Sequence, residues 1–129
     1  MKLNKVSTML MIVSSLTILS PVANALEKCH SFFGTWSTNF GYLTIGNDHK
    51  GTYTYKTSNG EVTGKTTGNA YVCGMTYVGT WEEVFNGKST KGSVAFLMNR
   101  DGRSFNGVYT RSSPQDKFGV WNGSTPKSR

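Results

Sequence analysis

A short triplet, in which glycine is followed by threonine or valine and then by a large aromatic residue, occurs five times in this chain, starting at Gly34, Gly51, Gly79, Gly107 and Gly119. Side chains alternate between the two faces of an extended strand, so the glycine and the ring share one face. A glycine leaves a gap that a ring from the neighbouring strand can cover, and such gaps let a sheet coil tightly. The triplets therefore predict a strongly curved sheet with an aromatic inner face.

The same alternation predicts the remaining residues of that inner face. The β-branched residues Thr35, Thr52 and Thr80 should point outward to solvent. Unequal spacing between the triplets excludes a stacked repeat array, which needs a fixed period. The predicted inner set contains Trp36, Leu43, Ile45, Tyr53, Tyr55, Val62, Met75, Tyr77, Trp81, Val94, Phe96, Met98, Phe105, Tyr109 and Trp121.

Turn residues divide the chain into about eight strands. Asn59-Gly60, Asn86-Gly87 and Asp101-Gly102 are hairpin dipeptides, and Thr67-Gly68-Asn69 is a looser turn signal. Short spacing favours antiparallel pairing between neighbours, and closure removes exposed edges. We therefore expect an all-β fold, a small antiparallel up-and-down barrel, with a β-sandwich as the alternative. The strands should lie near 32–38, 41–46, 50–57, 61–66, 70–84 with a break at Gly74, 91–99, 104–111 and 117–123.

The first 25 residues have the pattern of a secretory signal peptide. Lys2 and Lys5 precede an uncharged apolar run, and Ala23-Asn24-Ala25 supplies small residues for cleavage. The apolar run is short for a membrane span, although a retained N-terminal anchor is the alternative. We expect residues 26–129 to form a single domain that is secreted or periplasmic.

Two cysteines, Cys29 and Cys73, remain after the predicted cleavage. In an oxidising compartment such a pair in a small domain indicates a disulfide, which closes a long loop and stabilises the fold by roughly 4 kcal/mol. A metal site is the rival interpretation, but the two histidines, His30 and His49, lack ligand spacing. We predict a disulfide and neither a metal nor a cofactor.

The chain carries a formal net charge of +7, with its basic residues scattered rather than clustered. Scattered charge is typical of a soluble surface with weak steering toward anions, so a nucleic-acid partner is not expected.

The stretch Phe33-Gly34-Thr35-Trp36 resembles the first-strand Gly-x-Trp signature of calycins, the lipocalin, fatty-acid-binding and avidin families of small barrels. With Asn39 and Gly51-Thr52-Tyr53, it is most similar to the start of an avidin. The resemblance implies that Asn39 and Tyr53 are polar pocket residues and that Trp81 and Trp121 are hydrophobic walls. The terminal Thr-x-Trp-Leu-Leu segment of avidins is missing from this chain. The resemblance therefore implies a barrel rather than biotin binding. The chain also resembles uncharacterised bacterial secreted domains with repeated Gly-Thr-Trp strands.

Catalytic residues are not evident in the sequence. Neither histidine lies in a nucleophile motif, and Glu82 and Glu83 face opposite sides of a strand. Glu83 shares its phase with Trp81 and Tyr77. It should either point inward near a barrel mouth, where desolvation would raise its pKa, or form a salt bridge at the rim. A hydrolase would depend on Glu83 alone.

The inward rings could fill the barrel or wall a pocket. We predict an exported, non-enzymatic binding module that takes a small molecule or a glycan. Its ligand-binding residues would be Trp36, Asn39, Tyr53, Trp81, Glu83, Tyr109 and Trp121. The alternative is a protein-interaction domain, such as a hydrolase inhibitor or adhesion factor, that uses the loops 86–91 and 111–117.

Overall fold

The structure, a computed structural model, describes residues 29–112 and 117–126, and in these residues it is all β. The predicted signal peptide lies outside the described residues. The strands are β1 (Gly34–Thr38), β2 (Gly41–Ile45), β3 (Lys50–Thr57), β4 (Gly60–Tyr71), β5 (Thr76–Phe85), β6 (Lys88–Met98), β7 (Ser104–Arg111), β8 (Lys117–Val120) and β9 (Gly123–Ser124). They form one closed antiparallel barrel of eight strands with one extra short strand, which confirms the predicted barrel over the sandwich.

The barrel closes through the last two strands. Each strand from β1 to β7 pairs with the next one along the chain. β8 and β9 pair with β7 in one continuous register on either side of Trp121 and Asn122, and β9 also pairs with β1. At the interruption, the Gly107 amide donates to Asn122 Oδ1 at 3.1 Å instead of to a backbone carbonyl.

The predicted turn at Thr67–Asn69 is wrong, because β4 runs through it without interruption. Gly68 lies under the ring of Tyr77, where a Cβ would approach Tyr77 Cζ to 2.8 Å, so this glycine serves packing. The chain turns instead at 72–75, where Val72, Cys73 and Gly74 all have positive φ.

The predicted inner face is confirmed: every member of the set is buried or half-buried, and Thr35, Thr52 and Thr80 are exposed. Within the described residues, the buried members of the set other than Val62 belong to one hydrophobic cluster. Phe32, which is not in the predicted inner set, precedes β1 and is also part of this core.

Rings that face glycines are the main packing device of the barrel. In five cross-strand pairs a large ring stands directly opposite a glycine: Tyr53–Gly64, Trp81–Gly92, Phe96–Gly107, Phe105–Gly123 and Tyr109–Gly119. A Cβ placed on any of these glycines would come within 2.2 to 2.8 Å of the facing ring. The missing side chain is what lets each ring lie flat across the neighbouring strand.

Only some of the glycines in the repeated triplets have this role. Gly107 and Gly119 are covered by rings, as the triplets predict. At Gly79 the close neighbour is the backbone of Thr67, at Gly51 the nearest atom belongs to the Thr66 side chain, and no atom lies within 4 Å of a Cβ on Gly34. The ring-over-glycine interpretation is therefore wrong for these three positions.

One end of the barrel is closed by the segment before β1. The predicted disulfide is confirmed and joins Cys29 to Cys73 in the β4–β5 turn. Next to it, the Phe32 ring contacts Trp36 and Phe105 at centroid distances of 5.8 and 5.6 Å. Trp36 Nε1 donates to the Phe32 carbonyl at 2.8 Å. This end is filled, so access to the interior is from the opposite end.

Gly64→Ala should destabilise the protein although alanine is normally the better strand residue. Its Cβ would lie 2.2 Å from Tyr53 Cζ, so the ring must move out of a packed core, at about 1–3 kcal/mol in the free energy of unfolding. Urea denaturation measures this value. Gly46→Ala is the control, because its Cβ meets first the Asp48 carboxylate, at 3.1 Å. Equal effects of the two substitutions would contradict the packing role of Gly64.

Candidate functional site at the barrel mouth

A small cavity of about 40 Å³ lies at the end of the barrel opposite the disulfide. It exceeds the roughly 10–15 Å³ that one water needs, and it is too small for a sugar ring. The inner face below it is packed by the core cluster. Its lining combines five rings with one acidic and one basic residue: Phe40, Tyr55, Trp81, Tyr109, Trp121, Glu83 and Arg111.

Glu83 reaches the cavity from β5, where it stands opposite Gly64. Tyr53 stands opposite the same glycine on β3 and lies across it, so that its hydroxyl donates to Glu83 Oε1 at 2.9 Å. The Tyr55 hydroxyl lies 3.1 Å from Oε1 and 3.2 Å from Oε2. Of the two alternatives for Glu83, the structure shows the inward one, with tyrosine hydroxyls as its partners.

Burial and Glu83 together keep the two phenols protonated. Desolvation, the negative charge of Glu83 and the hydrogen bond to it raise the pKa of Tyr53 far above its ordinary value. For Tyr55, burial and then Glu83 raise the pKa to about 12, with Arg111 acting weakly in the opposite direction. Both hydroxyls therefore act as donors to Glu83 throughout the physiological range and hold its carboxylate at the cavity wall.

The two tryptophans of the cavity differ in how their Nε1 groups are satisfied. Trp81 lies over Gly92 and donates from Nε1 to the Thr110 carbonyl at 3.0 Å, which fixes its ring as a wall. Trp121 is 2% exposed, and its Nε1 has no hydrogen-bond partner within residues 29–112 and 117–126. A buried donor without a partner costs about 1–3 kcal/mol, a cost that an acceptor within hydrogen-bond reach of Nε1 would offset.

Phe40 covers the mouth from the tip of the β1–β2 hairpin. Its backbone amide donates to Thr38 Oγ1 at 3.0 Å, which fixes the turn. Its ring makes edge contacts with Tyr55, Tyr109 and Trp121 at centroid distances of 5.5, 5.3 and 5.1 Å. Phe40 is half-buried, so it forms a rim between the cavity and solvent.

Five of the seven residues predicted to bind a ligand meet at this end of the barrel. Trp81, Glu83, Tyr109 and Trp121 line the cavity, and Tyr53 adjoins it through Glu83. The cavity is also lined by three residues that were not predicted to bind a ligand: Phe40, Tyr55 and Arg111. Tyr55 was predicted to point inward and could have been included by its phase, whereas Phe40 lies in a turn where alternation gives no signal.

The other two predicted residues lie elsewhere. Trp36 packs at the disulfide end, against Phe32. Asn39 is exposed at the seam where β1 meets the last strands. Its Nδ2 donates to the Val120 carbonyl at 2.8 Å, and its Oδ1 accepts from the Asn122 amide at 2.9 Å. Asn39 therefore holds the seam that closes the barrel.

The described part of the chain contains no group of three or more His, Cys, Asp or Glu side chains suited to a metal ion. It also contains no helix with the length and apolar character that crossing a membrane requires.

Comparison with known proteins adds no assignment, because no family model, curated protein or solved structure matches this chain.

Replacing Glu83 with glutamine should lower the pKa of Tyr55 below about 12 but leave it above 10.0, because burial, its largest cause, remains. The folded state keeps the Tyr55 hydroxyl protonated to a higher pH than the unfolded state does. The contribution of Tyr55 to the free energy of unfolding is therefore complete below pH 10.0 and is lost as the pH rises toward about 12. In Glu83→Gln, the free energy of unfolding should fall less over this pH range than in the wild type.

Phenolate absorbance as a function of pH measures the ionisation, and urea denaturation over the same range measures the stability. Glu82→Gln is the matched control, since Glu82 is exposed and accepts from Ser89 Oγ on the outer face. An unchanged Tyr55 titration in Glu83→Gln would show that the carboxylate does not control the phenol.

Proposed function

We propose that this protein is an exported, non-enzymatic binding module that takes a polar group of a small molecule or a glycan into the barrel mouth. The observation that carries the proposal is the arrangement of Glu83, held by two tyrosine hydroxyls, and Arg111 around one small aromatic-walled cavity. Pockets of this kind use their rings for contact area and a few fixed polar groups for orientation.

The size of the cavity limits how a ligand enters. A volume of about 40 Å³ admits a group the size of a hydroxyl or an amine, while the body of the ligand stays at the rim. There the half-buried rings of Phe40 and Tyr109 offer apolar faces. A sugar fits this division, because its hydroxyls can enter singly while its apolar face rests on a ring.

The charges favour a neutral polar ligand. Glu83 and Arg111 line the same cavity and carry opposite charges. A singly charged ligand is attracted to one of them and repelled by the other, and the two effects offset each other. A hydroxyl group can donate to the carboxylate and accept from the guanidinium or from Trp121 Nε1. Neutral, hydroxyl-rich compounds are therefore the class to examine first.

The proposed location is the periplasm or the exterior of the cell. The Cys29–Cys73 disulfide is consistent with an oxidising compartment, and the N-terminal sequence pattern supports export. The barrel and its aromatic interior support a calycin-like type, a class in which the mouth is the usual ligand site.

A glycan and metabolite panel, followed by tryptophan fluorescence and isothermal titration calorimetry, tests the proposal. For a compound that binds, Glu83→Gln should weaken affinity by at least about tenfold, because a charge-assisted hydrogen bond contributes about 1.5–3 kcal/mol. Glu82→Gln, one residue away on the outer face, should bind like the wild type. Equal affinities of the two variants would remove the mouth as the binding site.

One observation supports the alternative of a loop-mediated protein partner. A hollow of about 380 Å³ beside the β7–β8 connection is lined by Thr110, Arg111, Ser112, Lys117 and Phe118. Capture of a protein from envelope extracts that survives Trp81→Ala but is lost when residues 112–117 are replaced would support this alternative over the mouth.

A further inference from the structure

The outer wall formed by β5, β6, β7 and the last strands has an uncharged central patch, bordered by the exposed charged pair Glu82 and Lys91. Three neighbouring outward positions on each of β5, β6 and β7, with two on β8 and one just after it, carry only apolar, hydroxyl or amide side chains. They are Thr76, Val78, Thr80, Ser93, Ala95, Leu97, Asn106, Val108, Thr110, Phe118, Val120 and Asn122, here called the uncharged wall. By contrast, Lys56, Glu61 and Lys65 are among the exposed residues of β3 and β4.

An apolar row crosses the middle of the uncharged wall. Val78, Ala95, Val108 and Val120 are consecutive cross-strand partners. Beside this row lies a groove of about 480 Å³, whose lining includes Ala95, Leu97, Val108 and Val120. A contiguous apolar surface of this kind on a small protein commonly marks an interaction site.

The same wall carries a side chain suited to fill such a groove. Phe118 is 85% exposed, more than any other large hydrophobic residue that the structure describes. It is the next outward residue on β8 before Val120, so the two side chains lie about 7 Å apart along the strand. The wall therefore contains both a protruding ring and an apolar groove.

We propose that the uncharged wall is a dimer interface that binds a second copy of this chain. The two copies pack wall to wall about a two-fold axis, so that Phe118 of each copy enters the groove of the other. Such an interface is isologous, since one patch meets itself. The two sheets pack face to face at about 10 Å, with their strands about 30° apart.

The charges favour a second copy as the occupant. The chain has a formal net charge of +7, or +5 without Lys2 and Lys5 of the predicted signal peptide, so two copies repel each other wherever lysine and arginine face one another. The uncharged wall removes that repulsion locally. It also offers no cation to an acidic partner, which would be attracted to the charged walls instead.

The size of the wall predicts a reversible dimer. Four strands spaced by about 4.8 Å and three outward rows spaced by about 6.8 Å span roughly 400 Å² on each copy. This is below the roughly 800 Å² per partner of a standard stable interface, so a dissociation constant of about 10–100 µM is expected. The mouth lies at the end of the barrel, and the dimer leaves it open.

Sedimentation velocity of the oxidised protein from about 5 µM to about 1 mM tests the proposal. Val108→Lys places a charge at the centre of the wall and should raise the dimer dissociation constant at least about 30-fold. The matched control is Val84→Lys, because Val84 is 55% exposed and Val108 is 56% exposed, but Val84 lies outside the wall. The control should stay within about threefold of the wild type.

A monomeric wild type at the highest concentration would overturn the proposal, as would equal effects of the two lysine substitutions. Phe118→Ser provides a second variant if Val108→Lys fails to fold, because the exposed ring contributes little within one copy. It should weaken the dimer at least about tenfold, and wild-type association in this variant would also contradict the interface.

Discussion

The interior of a small eight-stranded barrel is filled by side chains that must share the space, so a large ring packs most readily where its partner on the neighbouring strand has no side chain. In this protein five rings meet that condition by standing opposite glycines. Two of these rings extend over the glycine strand to the strand beyond it. Tyr53 on β3 reaches Glu83 on β5 in this way, and Trp81 on β5 reaches the Thr110 carbonyl on β7.

Because rings of the core extend this far, the packing of the core also determines where the polar groups of the mouth lie. The hydroxyl of Tyr53 arrives at Glu83 only because Gly64 has no Cβ between them. The carboxylate is thereby held on the inner face near the open end, where Tyr55 supplies a second hydroxyl. The site therefore depends on strands that supply none of its polar atoms, and a change in the packing of β4 would be transmitted to Glu83.

Alternation along strands made the barrel and its inner face predictable, because burial follows the period of two that the sequence displays. That period shows which face of a strand a residue occupies, but it does not show at which end of the barrel the residue lies. Trp36 and Trp81 have the same phase, but strand stagger places Trp36 at the disulfide end and Trp81 at the mouth. Phe40 and Arg111 were missed because one lies in a hairpin turn and the other next to a loop. The turn predicted at Gly68 was wrong because a glycine inside a strand can also leave space for a ring, here that of Tyr77.

The glycine that admits a ring on the inside also shapes the wall on the outside. Gly107 gives space to Phe96 in the core, and it lies among the residues of the outer groove. Opposite it, the backbone ladder is interrupted at Asn122, whose side chain takes the Gly107 amide. A strand that lacks a side chain and a full ladder at the same point produces a depression in an otherwise continuous sheet. The groove that we assign to a second copy is thus a consequence of how the barrel accommodates its rings, whereas Phe118, the ring proposed to enter it, is not needed by the fold of one copy.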